Sequence, residues 1–260
     1  MITPAVGPKV TLWDIETTHN LAAVFRLLNQ DMIPAENIIK ERYVVCASWK
    51  TLGEPEVYAV STLDAPRRFK KDPSDDFYVI KTLHHVLSQS DVIIAHNGDA
   101  YDIKFTETRM LKHGLEPLPP ILKIDTLKAA RDRFLFNANN LDYLGNFLGV
   151  GRKKPTTSGL WLRVLQGDPE AIQEMVGYNK QDVLLLERVF LKLQPYMANH
   201  INRQLFPGAV GKCPRCDSSD VQSRGTHRAL TQSYQRFYCN ACGGWFRNSK
   251  STSGTKTRVL

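Results

Sequence analysis

What this sequence lacks is informative. No apolar run approaches the roughly 20 residues that a membrane-spanning helix needs, and the amino terminus has no basic segment leading into an apolar one. Both absences point to a cytoplasmic protein with no membrane partner. Cysteine is scarce through residue 200, where Cys46 stands alone in Tyr43-Val44-Val45-Cys46-Ala47-Ser48-Trp49. One thiol in an apolar run excludes a disulfide framework and reads as a small buried hydrophobe. Acidic residues are nearly missing from the end of the chain: residues 201–260 hold 10 Lys+Arg against 2 Asp+Glu, whereas residues 1–200 hold 24 against 24. The whole net charge of +8 therefore lies in the tail. A neutral body with a basic tail suits a polyanion, most often nucleic acid, although a merely solubilising tail has the same composition.

What is present begins with Lys9-Val10-Thr11-Leu12-Trp13-Asp14-Ile15-Glu16-Thr17-Thr18, an apolar run with the character of a buried strand. Alternation puts Asp14 and Glu16 on one side of the sheet, about 6.5–7 Å apart along the backbone. Two like charges there either meet water at a strand end or share a cation. Further on, Tyr43–Trp49 and Glu56–Val60 read as a hairpin around Gly53 and Pro55, so that three strands form an antiparallel meander. Strands at Asp91–Asn97 and Ile121–Ile124 then alternate with helices at Phe77–Leu87, Asp102–His113, Thr126–Arg133, Leu141–Leu148 and Leu160–Gln166. A long helix starts at Asp168-Pro169-Glu170, an N-cap followed by proline, and runs to about Leu193. This order predicts an α/β domain with a mixed sheet flanked by helices. A short helix at Leu21–Leu28 and a polar surface loop at Arg67–Pro73 complete the expectation.

Two more acids bear on Asp14 and Glu16. Asp102 follows His96-Asn97-Gly98-Asp99-Ala100-Tyr101 at the start of a helix, where it acts as a plain N-cap or projects over the end of the sheet. On the long helix, Tyr178 and Asp182 are four residues apart and share a face that borders the apolar side. An acid there is costly to bury unless it meets a cation or a partner. Hydrolysing a phosphodiester in line needs an activated water and a stabilised leaving oxygen, which two divalent ions supply. Hard Mg²⁺ or Mn²⁺ wants oxygen ligands, so a set of carboxylates is the expected site.

In order and spacing, Asp14-Ile15-Glu16, Asn97-x-x-x-Tyr101-Asp102 and Tyr178-x-x-x-Asp182 resemble the three motifs of the DEDD-type 3′→5′ exonucleases of the ribonuclease H-like superfamily. The tyrosine before the last acid is similar to the DEDDy subclass. The middle motif looks most like stand-alone relatives of the proofreading domain of family B DNA polymerases. The resemblance covers about residues 9–195 and departs where Tyr101 replaces a commoner phenylalanine and where His19 and Asn20 stand in place of glycine. It implies that Asp14 bridges two Mg²⁺ or Mn²⁺ ions, that Glu16 and Asp182 complete the first, and that Asp102 holds the second through water. Tyr178 would orient the attacking water and Asn97 would tether the turn that presents Asp102. Thr17 and Thr18 would offer backbone N–H groups to the 3′-terminal nucleotide, and Leu21 would wedge between the last two bases. Lys153 and Lys154, with Arg152, either contact phosphates or stand solvated. Asp125 is expected to cap a helix beside this site; His84, His85 and His96 receive no role.

In the tail, Cys213-Pro214-Arg215-Cys216 and Cys239-Asn240-Ala241-Cys242 form two C-x-x-C knuckles with 22 residues between them. Four thiolates can close a tetrahedral, structural Zn²⁺ site similar to a zinc ribbon, without which so small a unit could not offset its chain entropy. Basic and aromatic residues interleave around the knuckles, so those left outside the small core can stack on bases.

The reading is a ribonuclease H-like 3′→5′ exonuclease domain over 1–200, a linker over 201–211, a zinc ribbon over 212–248 and a disordered tail over 249–260. Single-stranded DNA is the expected substrate. The alternatives are a ribonuclease or structure-specific nuclease on the same scaffold, and an adaptor whose ribbon docks nucleic acid or a replication or repair protein.

Overall fold

The computed structural model describes residues 7–24, 32–157, 159–197, 201–206 and 211–257. The strands of the body are β1 (Val10–Thr17), β2 (Leu21–Ala22), β3 (Ile38–Lys40), β4 (Val44–Thr51), β5 (Tyr58–Ser61), β6 (Val92–Ala95) and β7 (Leu122–Asp125). Its helices are α1 (Pro66–Lys71), α2 (Phe77–Ser88), α3 (Asp102–Lys112), α4 (Thr126–Arg133), α5 (Leu141–Phe147), α6 (Leu160–Leu165) and α7 (Pro169–Leu193). Five strands make one mixed sheet in the order β5-β4-β1-β6-β7, antiparallel from β5 to β1 and parallel from β1 to β7. The first three come from the predicted meander, and the crossovers through α2 and through α3 supply the parallel half.

The sheet is covered on both faces. Trp13, Ile15, Ile93 and Ala95 pack against Val79, Ile80, Leu83 and Leu87 of α2 with Ile103 and Met110 of α3. On the opposite face, Val10, Leu12, Val92, Ile94 and Ile124 meet Val183, Leu186, Val189, Phe190 and Leu193 of α7. β1 is thus central and buried on both sides, which explains its nearly continuous apolar run. Beneath α2, the buried Asp76 accepts two bonds of 2.7 Å from the Arg109 guanidinium, one of 2.6 Å from His113 Nε2 and one of 3.0 Å from the Val44 N–H.

Four expectations are corrected. The basic run Arg67–Pro73, read as a loop, lies largely in α1, which begins with Pro66 at its first helical position, where the missing N–H costs nothing. Where a helix was expected at Leu21–Leu28, Leu21 and Ala22 pair with β3 instead, and residues 25–28 lie outside the described residues. The body's core does not stop at residue 200: Ile201 is buried in the cluster beneath α7, and Phe206 packs against it. Lastly, the tail after residue 249 contributes β11 (Ser253–Gly254), which pairs with β9 (Gln232–Cys239) and so extends the ribbon beyond residue 248. Backbone bonds carry that pairing, and the Thr252 hydroxyl adds one to the Ser233 carbonyl at 3.1 Å, so a Ser/Thr/Lys composition does not forbid it.

β9 also pairs with β8 (Val221–Arg228) and with β10 (Trp245–Arg247). Arg215, between the two cysteines of the first knuckle, donates to the carbonyls of Gln194, Pro195 and Met197 at 2.7, 2.8 and 3.0 Å, just past the end of α7. Among the described residues no helix is long and apolar enough to cross a membrane.

Candidate functional site

The alternation of β1 builds the site. Val10 and Leu12 face α7, and Asp14 and Glu16 continue the same stripe beyond the apolar contact. On α7 the core stripe Phe190, Val189, Leu186, Val183 continues the other way into Asp182, Asn179 and Tyr178. Each element carries its apolar face up to one point and then changes to polar groups, so the acids meet where the packing ends.

Carboxylate oxygens of Asp14, Glu16 and Asp182 all lie within 4.8 Å of one another. Asp182 is 2 % exposed, and its Oδ1 is a buried acceptor with no hydrogen-bond partner among the described residues. Asn179 Nδ2 donates to Asp14 Oδ2 at 2.7 Å and fixes that carboxylate. Burial, then Asp102, Glu16 and Asp182, push the Asp14 carboxyl far above its usual range. Burial, followed by Asp182, raises Glu16 to about 8. Asp102 opens α3 at 5 % exposure and is pushed up to about 7, mainly by burial, against the N–H groups of Asp102 and Ile15. It stands outside the compact trio yet near enough to repel Asp14. Crowded, partly protonated oxygens with an orphaned acceptor fit a hard divalent cation, which removes the repulsion and supplies the missing partner.

Lys153 reaches into this cluster. Its Nζ donates to Asp182 Oδ2 at 2.5 Å and lies 5.3 Å from the centre of the Tyr178 ring. Burial opposes the ammonium, but Asp182 outweighs it and holds the charge above the ordinary lysine range. Lys154, its neighbour, is exposed, and Arg152 bonds Asn146 Oδ1 at 2.8 Å.

Beside the acids, Glu16, Thr17, Thr18, His19, Asn20, Arg42, Tyr101 and Trp161 line an open pocket of about 450 Å³. Thr17 Oγ1 and the Tyr101 hydroxyl are 2.6 Å apart, and the Arg42 guanidinium lies 5.6 Å from the Tyr101 ring centre. Thr18 does not offer its N–H: that group donates to the Tyr43 carbonyl at 3.0 Å, while the Tyr43 N–H donates to Thr18 Oγ1 at 3.1 Å, so the residue is buried and its N–H already taken. Leu21 is 42 % exposed on β2 and does not line the pocket. Asn97 adopts φ 68° and its carbonyl accepts from the N–H groups of Ala100 and Tyr101. The turn is tethered by Asp125, which accepts from the N–H groups of Asn97 at 2.9 Å and Asp99 at 3.3 Å while capping α4 through Leu127. His96 sits apart from the chemistry, donating Nε2–H to the Asn139 carbonyl at 2.9 Å, and burial keeps it neutral with a pKa of about 4.

Asn179, Arg42 and Trp161 were not legible in the sequence. Asn179 carries a weak signal, since it lies three residues before Asp182 on the same helical face.

In the tail, Sγ atoms of Cys213, Cys216, Cys239 and Cys242 lie within 4.8 Å of one another, with Cys213 to Cys242 at 3.8 Å and Cys216 to Cys239 at 3.6 Å. Thiolates placed about 2.3 Å from a central ion at tetrahedral corners are separated by roughly 3.8 Å, so the spacing fits zinc. Burial pushes the Cys213 thiol up to about 11, a load that a bound cation would lift. A Cβ on Gly244 would lie 2.6 Å from Arg215 Cδ and 3.2 Å from Cys242 Sγ, so this close approach requires glycine.

A search of curated proteins finds no match. Among solved structures, the family B DNA polymerase from the hyperthermophilic archaeon Pyrobaculum calidifontis is similar in fold, at 18 % identity and a TM-score of 0.53. The match covers 73 % of this chain and 25 % of that one, so the chain corresponds to about a quarter of the polymerase's length. The model of the RNase H superfamily matches residues 56–194, beginning after β1 and including Asp102, Tyr178 and Asp182. With more than half of its length inside that match and the sheet order described above, the chain belongs to the RNase H superfamily of nucleases.

Proposed function

We propose that the chain is a divalent-metal-dependent 3′→5′ exonuclease of the DEDDy type, acting on single-stranded DNA. The observation that carries this reading is the convergence of Asp14, Glu16 and Asp182 within 4.8 Å at the end of the sheet, with Asp102 beside them. Asp14, Glu16 and Asp182 would hold one Mg²⁺ or Mn²⁺, and Asp14 with Asp102 a second. Bound there, the ions supply an activated water and neutralise charge on the leaving oxygen.

The chain's own groups prepare that chemistry. Asn179 fixes Asp14 by its 2.7 Å bond, so that carboxylate need not reorganise as charge develops. Lys153, kept charged beside Asp182, gives a fixed positive group next to the scissile phosphate. Tyr178 stands one helical turn before Asp182 and orients the attacking water through its hydroxyl. The pocket between Thr17, Tyr101, Arg42 and Trp161 receives the terminal nucleotide, its rings and guanidinium supplying stacking surface. The cysteine cluster holds a structural Zn²⁺, and the ribbon is a second functional unit.

Digestion of 5′-labelled DNA and RNA oligonucleotides with Mg²⁺ or Mn²⁺ tests this. A DNA ladder that shortens from the 3′ end is expected. Cleavage of RNA alone, release of the 5′ label as the first product, or no shortening with either ion would overturn it.

A further inference from the structure

Side chains of β9 alternate between two faces, and pairing carries each face across the ribbon sheet. Tyr234, Arg236 and Tyr238 share one face. Arg247 stands opposite Arg236 on β10, Trp245 opposite Tyr238, and His227 opposite Tyr234 on β8. The other face carries Phe237 and Phe246, whose rings stack with centres 5.3 Å apart.

Guanidinium groups and rings are interleaved on the first face. Arg247 lies 3.6 Å from the centre of the Tyr234 ring, Arg236 lies 4.8 Å from Trp245, and Arg224 lies 5.9 Å from Tyr238. A small structural core would bury such rings and pair such cations with carboxylates. Here Trp245 is 48 % exposed, and no acidic residue follows Asp220 in the sequence. Asp217 pairs with Arg203 and Asp220 with Asn240, so neither answers these arginines. Uncompensated like charges on one small face repel one another until an anion arrives.

We propose that the face carrying Arg224, Tyr234, Arg236, Tyr238, Trp245 and Arg247 is a binding platform for single-stranded nucleic acid. An unpaired strand offers bases for the rings and phosphates for the guanidinium groups at the same time. A duplex keeps its bases stacked inside, so it answers only the charges. An acidic protein answers the charges but leaves the rings without partners. The platform is also continuous with the body: Tyr238 and Trp245, with Arg133 and Tyr196, line a groove of about 670 Å³ between the two units. A strand held on the ribbon is therefore held by the same molecule that carries the acids. The inference deepens the nuclease reading and rests on it for the strand's fate, whereas binding itself does not depend on hydrolysis.

The test is fluorescence anisotropy of the full chain carrying Asp14→Asn, which keeps the probe intact. The probes are an oligothymidylate of about 30 nucleotides and a duplex of the same length, at several salt concentrations. Arg236→Gln with Arg247→Gln should weaken single-strand binding and lower the slope of log affinity against log salt by about 1.4, two phosphate contacts at about 0.7 each. Trp245→Ala should weaken it by about tenfold with little change in slope, the mark of a lost stack. Zinc content of each variant, read with a chromogenic chelator after the protein is unfolded, separates a lost contact from an unfolded ribbon. Unchanged affinity and slope in zinc-replete variants, or tighter binding of duplex than of single strand, would overturn the proposal. Because no step of this assay involves cleavage, a failure of the nuclease reading would leave its outcome unaffected.

Discussion

Lys153 Nζ stands 2.5 Å from Asp182 Oδ2, so the acid cluster already contains a cation of the protein's own. That ammonium occupies part of the electrostatic demand that a divalent ion would otherwise meet alone. It competes for Asp182 in the resting protein, and in the proposed reaction it would face the phosphate.

Replacing it should therefore move two quantities in opposite directions. Lys153→Gln is expected to tighten Mn²⁺ binding, since Asp182 loses a competing positive charge. The same change should lower the single-turnover rate by about 100-fold at saturating metal, the usual loss when one preorganised donor is removed. Calorimetric titration of Mn²⁺ and cleavage on one preparation measure both. Weaker metal binding in the variant would show that the lysine supports the site rather than competing within it.

In the proposed mechanism Asn179 acts through Asp14, to which its amide donates, and not on substrate. Asn179→Ala should cost about 10–100-fold in metal affinity or activity, as expected for a group that orients a ligand. The loss should shrink as Mn²⁺ is raised, unlike the loss in Asp14→Ala, where the ligand is gone. A metal-independent defect in Asn179→Ala would place that amide in direct contact with the reaction.

The raised carboxyl groups make stability depend on pH in a sense opposite to ordinary acid denaturation. Glu16 moves from 4.5 to about 8 and Asp102 from 3.8 to about 7 on folding. Between those limits the folded, metal-free protein holds protons that the unfolded chain has released, so stability falls as pH rises through that window. The thermal midpoint in chelator-washed buffer should drop from pH 5 to pH 8, and the increment produced by Mn²⁺ should grow over the same range. A metal increment that is flat with pH would contradict the assignment of these acids to the cation.

Asp76 is fully buried and answers Arg109, His113 and Val44 at once, joining α2, α3 and β4. Asp76→Ala leaves a buried guanidinium without its partner and should lower stability by about 3–5 kcal/mol. Urea unfolding of the variant measures this, and a change below about 1 kcal/mol would reduce the network to the worth of a surface ion pair.

How far the site could be read from the sequence follows from the range of each signal. Asp14 with Glu16, and Tyr178 with Asp182, were visible because a spacing of two on a strand and four on a helix places each pair on one face. Their convergence also rests on α7 covering β1, which the apolar stripes of both elements record. Asp76 and Arg109 are 33 residues apart, and neither sits in a local pattern that marks it for burial. Arg42 and Trp161 meet at the pocket only through the tertiary fold. The α1 helix was hidden by its basic composition, although Pro66 marks its start. Asp125 joins Asn97 in holding the turn before Asp102, a part the spacing did not show because a side chain bonding backbone 28 residues away leaves no trace in it.

The three carbonyls past α7 that Arg215 holds make the body and the ribbon poor candidates for free exchange. Past the helix that carries Tyr178 and Asp182, the carbonyls of Gln194, Pro195 and Met197 find their donor in a residue between two cysteines of the ribbon. A foreign ribbon grafted after residue 206 would have to bring an arginine inside its own first knuckle, or those three carbonyls would lose their donor. If the four cysteines hold a metal as proposed, chelating it should loosen the Arg215 contacts, and hydrogen exchange in the segment that follows α7 is expected to rise.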